Sequence, residues 1–378
     1  MKRRLTLTLI TDGERVSALD VQLPRFDATA LLGRQQASAA KTLLPSVFGI
    51  CAQAQAAAAA GAVSAALGQP LSPALIAGHT LAVQIESVQE SLRSLCLGLP
   101  EALCSRQTAQ GAALIADFAQ AWRDGTAFLT RLQKTLRNET HDDRASALAA
   151  LTQEAKPMAQ AWDAFCARYV YGVSVLHWQG EDIVSNEALP VMRWFQQMAG
   201  EVPALGHMAL SPLPLAMFRA GKLSWQALVD EPYDASAWWR AQPDSRMAPV
   251  AARFDNSVAA RLWARLVDVA GTLSGLLNAE TVEAGKPWLR MHSLDSGDGI
   301  AEVECARGVL VHRAQLKQQN IVAYEVCAPT DWNLHRQGVL TTLLDQPASD
   351  VSQLRTYATW LVQVLDPCVA FDIEVVHA

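Results

Sequence analysis

Charge is scarce in this chain. Only 18% of its 378 residues are charged while 51% are apolar, against about 25% charged in ordinary soluble domains. That balance excludes disorder over the bulk of the chain, because a segment that stays unfolded has the reverse composition. An excess of positive charge is also missing. The 31 basic and 37 acidic residues leave a net −6, which argues against a nucleic-acid partner held through its phosphates. No uninterrupted apolar run reaches the ~18 residues a membrane helix needs, so none is expected and no membrane partner is implied. The opening Met1-Lys2-Arg3-Arg4 is basic, but Leu5-Thr6-Leu7-Thr8-Leu9-Ile10 then alternates like a strand and offers no apolar signal core or cleavage site. The expected location is cytoplasmic. No Cys-x-x-Cys occurs, so spacing alone assigns no zinc or redox site. The seven cysteines (Cys51, Cys96, Cys104, Cys166, Cys305, Cys327 and Cys368) are an odd number. In a reducing compartment they are expected as free thiols.

At about 150 residues per domain, the length allows two units or one large fold. Leu5–Ile10, the Asp12-Gly13 turn and Val16–Leu23 read as a hairpin. Helical spacing follows. Leu75, His79, Ala82, Ile85, Leu92 and Cys96 recur every three or four residues behind a Ser72-Pro73 start. Further helices are predicted over about 108–136, 144–168, 249–277 and 350–365. The Ala56–Ala60 run suits a buried, closely packed helix. Prolines at 190, 203, 212, 214, 232 and 243 mark 185–244 as a loop-rich insert with short helices. Short strands are predicted over 300–305, 308–316 and 321–327. The fold class is α+β and mainly α: a central bundle of long helices flanked by small β-containing ends. Those ends are expected to pack together, since a two-stranded hairpin is marginal alone.

Two cysteines stand apart from the rest. Cys51 follows Phe48-Gly49-Ile50 and opens the alanine-rich helix, a position that favours the thiolate through the helix dipole. Cys368 lies in Asp366-Pro367-Cys368, just past the last predicted helix. Taken singly, each reads more readily as an inert thiol than as a functional one.

Their surroundings carry more. Leu32-Gly33-Arg34, Gly49-Ile50-Cys51 and Gln55 together resemble the N-terminal metal motif of nickel–iron hydrogenase large subunits. Ala306-Arg307-Gly308-Val309-Leu310-Val311-His312 is similar to that family's Arg-Gly turn. Ala328-Pro329-Thr330-Asp331-Trp332-Asn333 is similar to its Pro-Ser/Thr-x-Trp-Asn segment. Asp366-Pro367-Cys368-Val369-Ala370-Phe371 resembles its C-terminal Asp-Pro-Cys-x-x-Cys. The four come in the family's order and span the chain, which implies a hydrogenase-large-subunit-like domain over 1–378. Its parts would be a hairpin and first motif over 1–50, a helical core over 51–284, and a β/helix end over 285–378.

The departures are as telling. A hydrogenase of this family binds its metals through four thiolates. Here Phe48 and Phe371 stand at two of those positions, leaving Cys51 and Cys368, and phenylalanine has no lone pair for a metal. Gln55 and Glu374 stand where the family has histidines. Ala28 stands where it has an acid before the Gly-Arg pair, with Asp27 one place off. The family's glutamate-bearing start is not found before Met1, and only Val375-Val376-His377-Ala378 follow the last histidine position, so no cleavable extension is expected. Hydrogen-splitting activity is therefore not expected, and neither is nickel.

This pattern looks like the HupK/HoxV-type accessory proteins, degenerate relatives of the large subunits. The resemblance implies a non-enzymatic maturation scaffold. It would transiently hold an iron carrying two cyanides and one carbon monoxide, for transfer to the hydrogenase large-subunit precursor, with HypC-type chaperones as further partners. It also implies cyanide contacts from Arg307, Pro329 and Thr330, with Cys51 and Cys368 as the iron's ligands. An anionic acceptor away from water needs cationic and hydroxyl donors, while carbon monoxide needs an apolar wall, for which Phe48 and Phe371 are candidates. For Arg307 the plainer alternative is a salt bridge to a carboxylate. The alternative for the whole chain is a metal-free mimic that docks maturation factors. Cys96, Cys104 and Cys166 read as core thiols. Cys305 and Cys327 read as core residues with a possible place behind the site, and His312 and His335 as structural. Trp238-Trp239 would anchor the insert or face a partner.

Overall fold

The computed structural model describes residues 4–23, 26–98, 108–137, 141–180, 189, 191, 195, 211–254, 256–278, 288–344 and 346–378. Its strands are β1 (Arg4–Thr11), β2 (Val16–Gln22), β3 (Leu289–Asp295), β4 (Asp298–Cys305), β5 (Gly308–Lys317), β6 (Asn320–Cys327) and β7 (Ala370–His377). Its helices are α1 (Ala28–Leu32), α2 (Ala40–Val47), α3 (Ala52–Leu67), α4 (Pro73–Leu97), α5 (Ala109–Arg137), α6 (His141–Tyr169), α7 (Leu215–Arg219), α8 (Trp225–Asp230), α9 (Trp238–Ala241), α10 (Ala248–Phe254), α11 (Val258–Asn278), α12 (Pro329–Asn333) and α13 (Val351–Leu365).

Alternation makes β1 bury Leu5, Leu7 and Leu9 on one face. Its hairpin partner β2 covers one edge, and β7 lies parallel along the other, from Arg4 opposite Ala370 to Thr11 opposite His377. The two ends of the chain thus share one sheet of order β2-β1-β7, as the marginal stability of a lone hairpin requires. The second sheet, β3-β4-β5-β6, is an antiparallel meander. Against it lies α3, whose segment 49–67 has a mean hydropathy of 1.4. Among the described residues it is the one helix long and apolar enough to cross a membrane, a property that counting uninterrupted runs did not reveal. Most of it is buried inside the fold. Small residues permit this contact. A Cβ on Gly299 of β4 would sit 2.2 Å from the backbone N of Ala66, and one on Gly61 would sit 2.7 Å from Ala301 Cβ.

Helix α4 is capped by Ser72, whose hydroxyl accepts from Leu75 N, and starts on Pro73. It packs with α5, α6 and α11 around Phe128, Trp162, Trp263 and Leu92. The helix predicted over 249–277 is two, α10 and α11. Ser257 Oγ accepts from Ala260 N at the new start, the role that serine prefers over a helix interior. Strands β3 and β7 were not foreseen. The first half of the expected loop-rich insert lies largely outside the described residues. In its described part Trp238 is buried under the guanidinium of Arg261 at 5.7 Å, so this tryptophan anchors the segment.

Candidate functional site

The start of α3, the middle of α4, the β4–β5 turn, the start of α12 and the link from α13 to β7 surround a small cavity, about 370 Å³ of space when the part open to solvent is counted. All five residues singled out from sequence, Cys51, Arg307, Pro329, Thr330 and Cys368, line it. Three residues that the sequence did not single out for it line it too: Glu86, Glu90 and Leu310.

Cys51 ends the tight turn Gly49–Cys51 and stands at the N-cap of α3 without bonding the helix through its side chain. The open amides of the first turn go to Glu86 instead: Gln53 N and Ala54 N donate to its two carboxylate oxygens at 2.7 and 3.0 Å. The open amides at the start of α3 are thus satisfied by the Glu86 carboxyl. The expectation that helix position favours the Cys51 thiolate is corrected here. Though half-buried by exposed area, the thiol lies deep enough that burial pushes it well above its ordinary range. Negative charge at Cys368 and Glu86 adds to the rise and Arg307 opposes it. Burial likewise raises Glu86 to about 8. Gln55 Nε2 donates to Cys51 Sγ at 3.7 Å, while its Oε1 is buried without a partner.

Cys368 follows Asp366, which ends α13 in a left-handed conformation (φ 48, ψ 65). The hydroxyl of Thr330 ties the cysteine down twice, accepting from Cys368 N at 3.4 Å and donating to Sγ at 3.5 Å. A third thiol, Cys305, also faces the cavity, pushed up to about 11 by burial.

Arg307 is buried and doubly paired. Its Nε donates to Asp366 O at 2.8 Å and lies 3.4 Å from Asp366 Oδ2, and its Nη2 donates to Glu90 Oε2 at 3.2 Å. Burial alone would lower its pKa, but Asp366 and Glu90 outweigh burial and raise it. The salt-bridge alternative for Arg307 therefore holds as geometry. Among the described residues nothing bonds its Nη1. The next residue must be glycine: Gly308 has φ +120, and a Cβ there would sit 1.7 Å from Ala235 O. Asn333 braces the turn, donating to Arg307 O at 3.2 Å and accepting from Ala235 N at 2.9 Å.

Other candidates fall elsewhere. Phe48 packs edge-on against Phe26, with ring centroids 4.9 Å apart, and Phe371 lines a neighbouring cleft. The expected aromatic wall is thus corrected: Ile50, Leu310, Ala328 and Pro329 supply the apolar side. Asp27 caps α1 through Ala30 N, and Glu374 is exposed on β7. His312 is fully buried, 2.9 Å from the Tyr324 hydroxyl, and His335 Nδ1 accepts from Gln337 N. Cys96 and Cys166 belong to the main core, Cys327 packs with Trp332, and Cys104 lies outside the described residues. Among the described residues no three His, Cys, Asp or Glu side chains are placed to hold a bare metal ion.

No family model matches the chain. Curated relatives match it from end to end. The hydrogenase expression/formation protein HupV of Azotobacter chroococcum mcd 1 is 27% identical over 392 residues, covering 100% of both chains. The hydrogenase expression/formation protein HupK of Azotobacter vinelandii is 30% identical over 380 residues, 96% of each chain. Among solved structures, the Ni-Fe-Se hydrogenase from D. vulgaris Hildenborough in its as-isolated oxidised state superposes with a TM-score of 0.56. The match covers 95% of this chain and 94% of that one at 12% identity. The fold is therefore that of the nickel–iron hydrogenase large subunits.

Proposed function

Since the chain belongs to the hydrogenase expression/formation protein family of HupK and HupV, and so has an accessory part in hydrogenase maturation, we propose that this part is to carry iron without catalysis. The cargo would be an Fe(CN)2(CO) unit, held briefly for the hydrogenase large-subunit precursor. The observation that carries this reading is the meeting of Cys51 and Cys368, 317 residues apart in sequence (368 − 51), on the wall of one cavity beside Arg307 and Thr330.

The donor set suits that cargo. Thiolates are soft ligands for iron, and two of them add to three diatomic ligands to give five, without the four sulfurs a nickel site needs. The Arg307 Nη1, unbonded among the described residues, and the Thr330 hydroxyl, once it turns from Cys368 Sγ, would be donors for cyanide nitrogens, with Pro329 shaping the same wall. Ile50 and Leu310 offer carbon monoxide an apolar surface. The raised pKa of Cys51 also serves a carrier. A thiol must lose its proton to bind metal, so a reluctant one holds less tightly and recovers its proton when the metal leaves. The proposed donors are HypC-type chaperones, and the proposed setting is the cytoplasm.

A second reading, a metal-free mimic that docks maturation factors, is favoured by one observation: Glu90 and Asp366 already balance Arg307 without any cargo. Iron analysis separates the two. Protein purified without oxygen from a host with the maturation machinery should hold close to one iron per chain. Cys51→Ala and Cys368→Ala should each lose it with an unchanged circular dichroism spectrum. Iron-free wild type, folded and soluble, would favour the mimic.

A further inference from the structure

The inner cavity adjoins a larger, open cleft of about 930 Å³. Ile50 and Cys368 belong to the walls of both. Of the three thiols on the inner cavity, Cys368 alone also faces the cleft, while Cys51 and Cys305 line only the cavity. Ile50 is 42% exposed. Arg93 and Arg265 line the cleft against a single acid, Asp366. Arg93 is partly open to solvent and paired with Glu90 at 3.0 Å, and Arg265 donates to Gln363 O and Asp366 Oδ2, each at 3.2 Å.

Two cyanides cancel the charge of a ferrous ion, and each bound thiolate adds one negative charge. The cargo therefore travels as an anion, and a cleft with surplus positive charge attracts it. Resting on the carrier reading above, we propose that the iron unit passes through this cleft and beside Ile50, binding Cys368 first and Cys51 second. At Cys368 the Sγ–H proton goes to solvent and an Fe–S bond forms. The donor's thiolate leaves iron with its electron pair and takes up a proton, so no oxidation state changes. The same exchange at Cys51 displaces the second donor ligand.

Thiol labelling of the full, reduced, cargo-free chain tests the route without requiring iron. With peptide-resolved mass spectrometry, iodoacetamide should label Cys368 at least about tenfold faster than Cys51, because Cys368 also lines the open cleft while Cys51 lines only the inner cavity. Ile50→Trp should slow Cys51 labelling severalfold and Ile50→Ala should speed it, with Cys368 changed less than about twofold in both. Arg93→Gln should slow labelling of Cys368 by anionic iodoacetate more than by neutral iodoacetamide, and added salt should erase the difference. Equal labelling of the two cysteines, or a Cys51 rate indifferent to both Ile50 substitutions, would overturn the route. Neither result would touch the carrier reading, which stands or falls on bound iron.

Discussion

Glu86, His79 and His312 are buried side chains whose protonation the fold dictates. Burial raises Glu86 to about 8 from 4.5, while burial lowers His79 to about 4 and His312 to about 3 from 6.5. A carboxyl with a raised value binds its proton more tightly in the folded chain. Its contribution is complete below about 4.5 and is lost as pH rises to about 8. The histidines act oppositely: the unfolded chain binds more protons, so stability falls as pH drops below 6.5 through their lowered values. Among these three groups the two histidines outweigh Glu86 below 6.5, and only Glu86 acts above it. Urea midpoints measured from pH 4 to 9 should therefore peak near 6.5. Glu86→Gln should flatten the alkaline limb while leaving the acid limb in place. A stability that climbs steadily from neutrality to pH 9 would contradict this assignment.

At the level of elements, the contact of α3 on β4 fixes where Cys51 stands. Gly299→Ala puts a methyl group against the backbone of Ala62, Ala65 and Ala66, which no rotamer change relieves. A cost of about 1–3 kcal/mol is expected, read as a lower thermal midpoint, with Cys51 labelling altered more than Cys368 labelling. An unchanged midpoint would mean that α3 is free to shift. The same elements show what the sequence makes legible. The strong periodicity of α4, α5, α6 and α13 placed them within a few residues, and the alternation of β1, β2, β4, β5 and β6 did the same. Strand β3 was missed although Leu289-Arg290-Met291-His292 alternates, because the alternation lasts only four residues before it breaks at Ser293, and β7 because its partner β1 lies at the opposite end of the sequence. Glu86 and Glu90 escaped for a different reason. The apolar stripe of α4 suggested one buried face, yet the helix is buried all round from Gly78 to Leu92, so the acids on the other face looked solvated. The motif residues needed no such context. Arg307-Gly308 and Pro329-Thr330 were readable through their resemblance to the large-subunit motifs, and they stand at a tight turn and a helix start.

Across the whole molecule, the sheet that joins β1 to β7 brings the C-terminal link beside the start of α3, and the site exists only where the two ends meet. Charge is arranged around that point. Arg307 and Arg265 share Asp366, Glu90 bridges Arg307 and Arg93, and the thiols sit among them. Such a centre keeps its arginines paired when empty, carries more positive than negative groups, and still offers donors to an anion, as a carrier requires. The direct test is an infrared spectrum of protein purified without oxygen from a host with the maturation machinery, because metal-bound cyanide and carbon monoxide absorb where polypeptide is silent. The carrier account predicts two cyanide bands and one carbon monoxide band, both kinds lost in Cys51→Ala and Cys368→Ala. A blank spectrum from folded wild-type protein, or bands that survive both substitutions, would contradict it.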